Sequence, residues 1–266
     1  LQPHYDQDLQ IFIPNTIEEF VNEIKKYPET NVVFISNPTY EGLSIDLPRF
    51  VQRIRKINPN IIIFVDEAWG SLFPFSDKMP TSAMQAGADI CVQSTHKQSS
   101  GLQQTGMIHW QGKRINEKFV MDSYKSLITT SPSFHLLASL DAARFLMQTQ
   151  GKNIINDLIS VADKLSIELS KISGVKVIDH DFITKKYAQV RFTDKTKVLV
   201  NIKGTGIPGY EIAKNFESEY KVVLEKYEAE NIFFITIMQN TEYDAIETAK
   251  RLKECVEKLS KKNKKS

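Results

Sequence analysis

Short apolar runs alternate with amphipathic stretches through the first half of this 266-residue sequence. That alternation limits the fold more than any other feature. Val32-Val33-Phe34-Ile35, Ile61-Ile62-Ile63-Phe64-Val65, Ile90-Cys91-Val92 and Met107-Ile108-His109-Trp110 each read as a strand. Between the first two, a helix over 46–57 carries Leu47, Phe50, Val51, Ile54 and Ile57 on one face. A shorter helix is expected from Thr81 to a stop at Gly87. Strands that are apolar on both sides and joined by helices predict an α/β fold, a mostly parallel sheet with helices on both faces. Ligands of such sheets sit beyond the carboxyl ends of the strands.

The pattern changes after residue 115. Helices are expected from about 116 to 172, including one over 153–172 striped with Ile154, Leu158, Val161, Leu165, Leu169 and Ile172 and closed by Gly174. Shorter strands and two further helices follow. The expected division is a large-domain portion at 1–150 and a small α+β domain at 151–266.

Asp66 closes the second strand and Lys97 lies just past the third, in Ser94-Thr95-His96-Lys97-Gln98-Ser99-Ser100-Gly101. A lysine amine can hold an aldehyde as a Schiff base, and a carboxylate can keep a pyridine nitrogen protonated. Together they are the two groups that pyridoxal phosphate chemistry most needs. Hydroxyls and backbone amides in the turn around Lys97 can hold a phosphate. On spacing alone, a surface loop and a turn-capping carboxylate remain open readings.

Other chemistries find less support. Asp66-Glu67 after an aliphatic run resembles the acidic strand of a nucleotide hydrolase, but no Gly-x-x-x-x-Gly-Lys-Ser/Thr loop accompanies it. Gly204-Thr205-Gly206-Ile207-Pro208-Gly209 fits Gly-x-Gly-x-x-Gly, yet few residues remain after it for a dinucleotide fold. No Gly-x-Ser-x-Gly elbow is present. The histidines lack ligand spacing, so no metal is expected, and Cys91 and Cys255 suit a reducing compartment. The 34 basic and 32 acidic residues nearly cancel, so neither nucleic acid nor a membrane is an expected partner. Lys258, Lys261, Lys262, Lys264 and Lys265 read as a solvated helix end.

A set of motifs then resembles one family closely. These are Ser36-Asn37-Pro38-Thr39-Tyr40-Glu41-Gly42, Val65-Asp66-Glu67-Ala68-Trp69-Gly70, Gln93-Ser94-Thr95-His96-Lys97, Gln104-Thr105-Gly106-Met107 and Thr129-Thr130-Ser131-Pro132-Ser133-Phe134. In this order they resemble the bacterial ornithine/lysine/arginine decarboxylases, fold-type I pyridoxal phosphate enzymes of the aspartate aminotransferase superfamily. The likeness runs from Tyr5 to about Leu259.

The resemblance implies pyridoxal 5'-phosphate as cofactor, Lys97 as its Schiff-base lysine and Asp66 as partner of the pyridine nitrogen. Ala68 would lie against the ring, and Ser94 and His96 would contact the phosphate. Thr129 or Ser131 would reach a neighbouring subunit's cofactor across a homodimer, or within a higher oligomer. Glu225 would be an acid near the substrate entrance. Trp69 stands where shorter members carry histidine and other branches tryptophan.

Family members also carry, upstream of the matching stretch, a Gly/Ser/Thr phosphate loop and a histidine stacked on the ring. The resemblance therefore implies that this sequence is the C-terminal portion of a fold-type I large domain followed by a smaller α+β domain, from a longer enzyme or one completed by a separate N-terminal polypeptide. The expected activity is decarboxylation of lysine, ornithine or arginine in polyamine metabolism, in the cytoplasm. The alternative is a truncated, non-catalytic paralogue that binds or regulates a full-length decarboxylase.

Overall fold

The structure is a computed structural model and describes residues 1–263; Lys264 and Lys265 of the terminal lysine run lie outside them. Its elements begin with β1 (His4–Asp6), β2 (Ile11–Ile13), α1 (Ile17–Lys26), β3 (Val32–Ser36), β4 (Leu43–Ser44) and α2 (Leu47–Ile57). Next come β5 (Ile62–Asp66), β6 (Ile90–Gln93), α3 (Thr95–Gln98), β7 (Met107–Trp110), α4 (Glu117–Leu127) and α5 (Phe134–Leu169). The chain ends with β8 (Lys176–Ile178), α6 (His180–Lys186), β9 (Phe192–Thr193), β10 (Lys197–Asn201), α7 (Gly209–Tyr220), β11 (Lys226–Tyr227), β12 (Asn231–Ile235) and α8 (Glu242–Asn263). Among the described residues no helix is long and apolar enough to cross a membrane.

Two compact units divide these elements. The first holds Leu1–Pro3, Pro14–Lys152 and Gln189–Thr193, and the second holds His4–Ile13, Asn153–Ala188 and Asp194–Ser266. The antiparallel β1–β2 hairpin, part of the expected 1–150 portion, groups with the second unit.

In the first unit the sheet runs β3-β5-β6-β7, with β3, β5 and β6 parallel and β7 antiparallel to β6. Side chains alternate across it. Val33, Ile35, Ile63, Val65 and Cys91 face α1 and α2 and share a core with Val21, Ile24, Phe50, Val51 and Ile54. Helix α1 opens with a capping box, in which the Thr16 side chain accepts from the Glu19 amide and Glu19 accepts from the Thr16 amide. Asp46 caps α2, and Pro48 sits in its first turn.

The opposite face corrects an expectation. Helices were predicted on both faces, yet Val32 is 51% exposed and Phe34 57%. Helix α4 stands over the β6–β7 side, and a cavity of about 770 Å³ lies between them, lined by Phe64, Val92, Ile108, Phe119 and Tyr124 among others. No residue of α4 is buried. The strands are apolar on both sides, as the sequence indicated, but this chain covers only one side fully.

Two local expectations also fail. Residues 81–87 make turns rather than a helix: Ala86 N donates to Ser82 O and Gly87 N to Met84 O, and Gly87 at φ +85° ends the segment. Helix α5 begins at Phe134 and runs without a break through Gly151. A Cβ on Gly151 would stand 3.0 Å from Phe75 Cβ and 3.1 Å from the end of Met147, so glycine here serves close packing.

The second unit is an antiparallel sheet of order β11-β12-β10-β8. Its core joins Leu165 and Leu169 of α5 with Val198, Val200, Ile212, Phe216, Ile232 and Leu252. The Gly204–Gly209 stretch is a tight turn with Gly206 at φ +68°. Gly204 abuts Gly174 so closely that a Cβ would come within 2.8 Å of its Cα. Strands β10 and β12 are antiparallel, which is not the parallel pairing of a dinucleotide-binding unit.

Candidate active site

Strand alternation decides which way the acids at the end of β5 point. Ile62, Phe64 and Asp66 fall on the open face, while Ile63, Val65 and therefore Glu67 fall on the covered side. Asp66 pairs in register with Ser36 of β3 and Val92 of β6, at the carboxyl ends of three parallel strands. Its backbone carbonyl accepts from Asn37 N at 2.9 Å, and its Oδ1 accepts from Ala68 N at 3.0 Å, which folds the chain sharply after the strand.

Beyond β6 the backbone turns into α3, the short helix that carries His96 and Lys97. Lys97 N donates to Ser94 O, and His96 N to Thr105 O. His96 Nδ1 lies 2.6 Å from the Thr105 carbonyl oxygen, so Nδ1 carries the proton and Nε2 is the nitrogen that bond does not engage. Ser94 and His96 both line the cavity on the open face. Gly101 closes the turn against Thr105, whose Oγ1 a Cβ there would meet at 2.4 Å.

Lys97 and Asp66 stand at neighbouring strand ends and are bridged by the loop after β5. Lys97 Nζ is 4.2 Å from the centre of the Trp69 ring, a cation–π distance. Ala68, which takes the Asp66 bond, precedes Trp69 directly. The structure thus brings Asp66, Ala68, Ser94, His96 and Lys97 to one end of one sheet.

Three other expected residues belong to other elements. Thr129 and Ser131 occupy the exposed link between α4 and α5, where Ser131 N donates to Thr129 Oγ1. Glu225 belongs to the second unit, is exposed, and donates through its amide to Phe233 O.

Sequence reasoning missed Glu67. The residue is fully buried; one carboxylate oxygen accepts from Ala83 N at 2.7 Å, and the other from Gln93 Nε2 at 2.6 Å. Burial outweighs those two bonds and pushes its carboxyl up to about 7. It ties the turn at 81–83 to the strand that delivers Lys97. The alternation along β5 was the available signal, because an acid one place past Asp66 must point to the covered side. Burial, with a smaller contribution from Glu67, also pushes the Cys91 thiol up to about 12.

Comparison with known proteins defines the class first. The fold matches the lysine decarboxylase LdcF of Francisella novicida with a TM-score of 0.77 at 22% identity, over 98% of this chain and 41% of that one. A NifS-like protein shares it with a TM-score of 0.68 at 16% identity, over 90% of this chain and 65% of that one. Residues 6–244 match the family described as Orn/Lys/Arg decarboxylase, major domain, and the chain belongs to that family. An arginine decarboxylase of Bacillus subtilis is 29% identical over 260 residues, 98% of this chain and 52% of that protein. One from Bacillus cereus is 32% identical over 249 residues, 92% of this chain and 52% of that protein. The inducible lysine decarboxylase of Escherichia coli is 30% identical over 145 residues, 52% of this chain and 20% of that protein. The chain spans about half the length of the arginine decarboxylases it matches.

Proposed function

We propose that this chain supplies the lysine-bearing part of a pyridoxal 5'-phosphate site that decarboxylates a basic amino acid to its amine. The observation that carries the reading is the meeting of Lys97 and the Asp66–Trp69 loop at adjacent parallel strand ends. The donor set fits such a cofactor: an amine for its aldehyde, a carboxylate for its ring nitrogen, and a hydroxyl and an imidazole on the cavity wall for its phosphate. Bound there, the cofactor would supply a sink for the electron pair left when the substrate's carboxylate departs as carbon dioxide.

The chain's own residues divide the remaining work. Lys97 would hold the cofactor's aldehyde. Asp66 keeps a proton on the ring nitrogen, and the Ala68 amide holds that carboxylate in place. Ala68 would lie against the ring, and Ser94 and His96 would contact the phosphate. Thr129 or Ser131 would reach a second subunit's site across a homodimer. Glu225 guards the substrate entrance. The principal phosphate contacts come from sequence outside the matched half of the relatives, in the same chain or a separate N-terminal polypeptide. Amines of this kind belong to polyamine metabolism, and a cytoplasmic role is part of the same proposal.

Arginine is the first substrate to assay, because the relatives that align over most of the chain carry that name. Titrating pyridoxal phosphate into the protein should raise a visible absorbance band that Lys97→Ala abolishes. Carbon dioxide release from arginine, lysine and ornithine then assigns the substrate. No band at any cofactor concentration would overturn the reading and leave a non-catalytic relative.

A further inference from the structure

Trp69 lies three residues after Asp66 and in contact with Lys97, the two groups on which the proposed chemistry depends. Its indole face meets Lys97 Nζ at 4.2 Å from the ring centre. Tyr40 braces the same indole edge-on, with centroids 5.2 Å apart and planes at 76°. The three side chains come from the ends of three neighbouring strands: Tyr40 after β3, Trp69 after β5 and Lys97 after β6.

The backbone beneath Trp69 is also held. Gly70 N donates to Glu67 O at 2.8 Å, and Phe73 N to Gly70 O at 3.0 Å. A Cβ on Gly70 would meet Glu67 Cγ at 2.4 Å, so the loop is wound directly onto the buried acid. Trp69 is therefore held at its ring by Tyr40 and at its backbone by its own loop. An aromatic face carries partial negative charge and attracts an ammonium group.

We propose that Trp69, braced by Tyr40, is the resting seat of the Lys97 ammonium, a positioning residue that holds the lysine beside Asp66 until an aldehyde arrives. This deepens the reading above, since it concerns the lysine that reading selects. While Lys97 is seated its nitrogen has no lone pair to offer. It must leave the indole and give up a proton to solvent before it can add to a carbonyl. The seat thus competes with condensation and keeps the nucleophile in place between events.

The test needs no cofactor, so its failure is distinguishable from failure of the decarboxylase reading. Lysines are dimethylated with carbon-13 formaldehyde, which preserves their charge, and methyl resonances are recorded. One resonance should lie well upfield of the rest because of the indole ring current. Lys97→Arg should delete it and Trp69→Leu should return it to the main group. Trp69→Phe, which preserves most of the packing, should retain a smaller shift, and Trp110→Phe should leave it unchanged. In parallel, acetylation of Lys97 by an activated ester, followed by mass spectrometry, should speed up about two- to thirty-fold in Trp69→Leu. The absence of any shifted resonance assigned to Lys97, or its persistence in folded Trp69→Leu, would overturn the proposal. An unchanged acetylation rate in that variant would overturn it as well.

Discussion

Asp66 and Glu67 are adjacent acids with opposite environments, and the two faces of one sheet explain the contrast. Glu67 follows Val65 onto the face that α1 and α2 seal, where it is fully buried and needs two donors to be tolerated. Asp66 follows Phe64 onto the face left partly open, where it is only half-buried. One face is built for stability and the other for access. A single residue step along β5 moves a carboxylate from one role to the other.

That comparison breaks if the covered face proves dispensable. Phe50 is fully buried against it, so Phe50→Ala should cost about 3–5 kcal/mol in urea-unfolding free energy. A loss below about 1 kcal/mol would mean that this face is not the core of the first unit.

Glu67 sharpens the contrast through pH. Its carboxyl is pushed from an ordinary value of 4.5 to about 7 by burial, so the folded chain keeps a proton that the unfolded chain has already lost. Stability should therefore fall as pH rises from 4.5 to about 7 and stay lower above it. The size of this effect is roughly 3 kcal/mol, set by the width of that window. Glu67→Gln should flatten this part of the urea-midpoint profile against pH, and a profile identical to that of the parent would contradict the assignment.

The open face should respond least. Phe34→Ser removes an aromatic ring that is 57% exposed, and its effect on unfolding free energy should stay within about 0.5 kcal/mol. A cost near that of Phe50→Ala would show that something seals this face in solution.

The two faces also show what the sequence could and could not state. Strands β3, β5, β6 and β7 were legible because Val, Ile and Phe cluster there, and the strand-end positions of Asp66 and Lys97 followed. Phe34 and Val32 misled for a physical reason: an apolar residue records that a surface avoids water, not which chain covers it. The apolar stripe over 153–172 marked only the second half of α5, which starts at Phe134 and holds Gly151 in tight contact with Phe75. The burial of Glu67 could have been read from alternation. The meeting of Trp69 with Lys97 could not, since a loop aromatic has no period and its partner lies on another strand. Thr129, Ser131 and Glu225 came only from family resemblance, and their expected tasks lie beyond the sheet end that gathers the other site residues.

The most direct measurement is chemical trapping. The protein is incubated with pyridoxal phosphate, reduced with borohydride, digested and mapped by mass spectrometry. The account predicts a pyridoxyl group concentrated on Lys97, with Asp66→Ala greatly reducing the yield. Label spread evenly over surface lysines, or absent from Lys97, would contradict it.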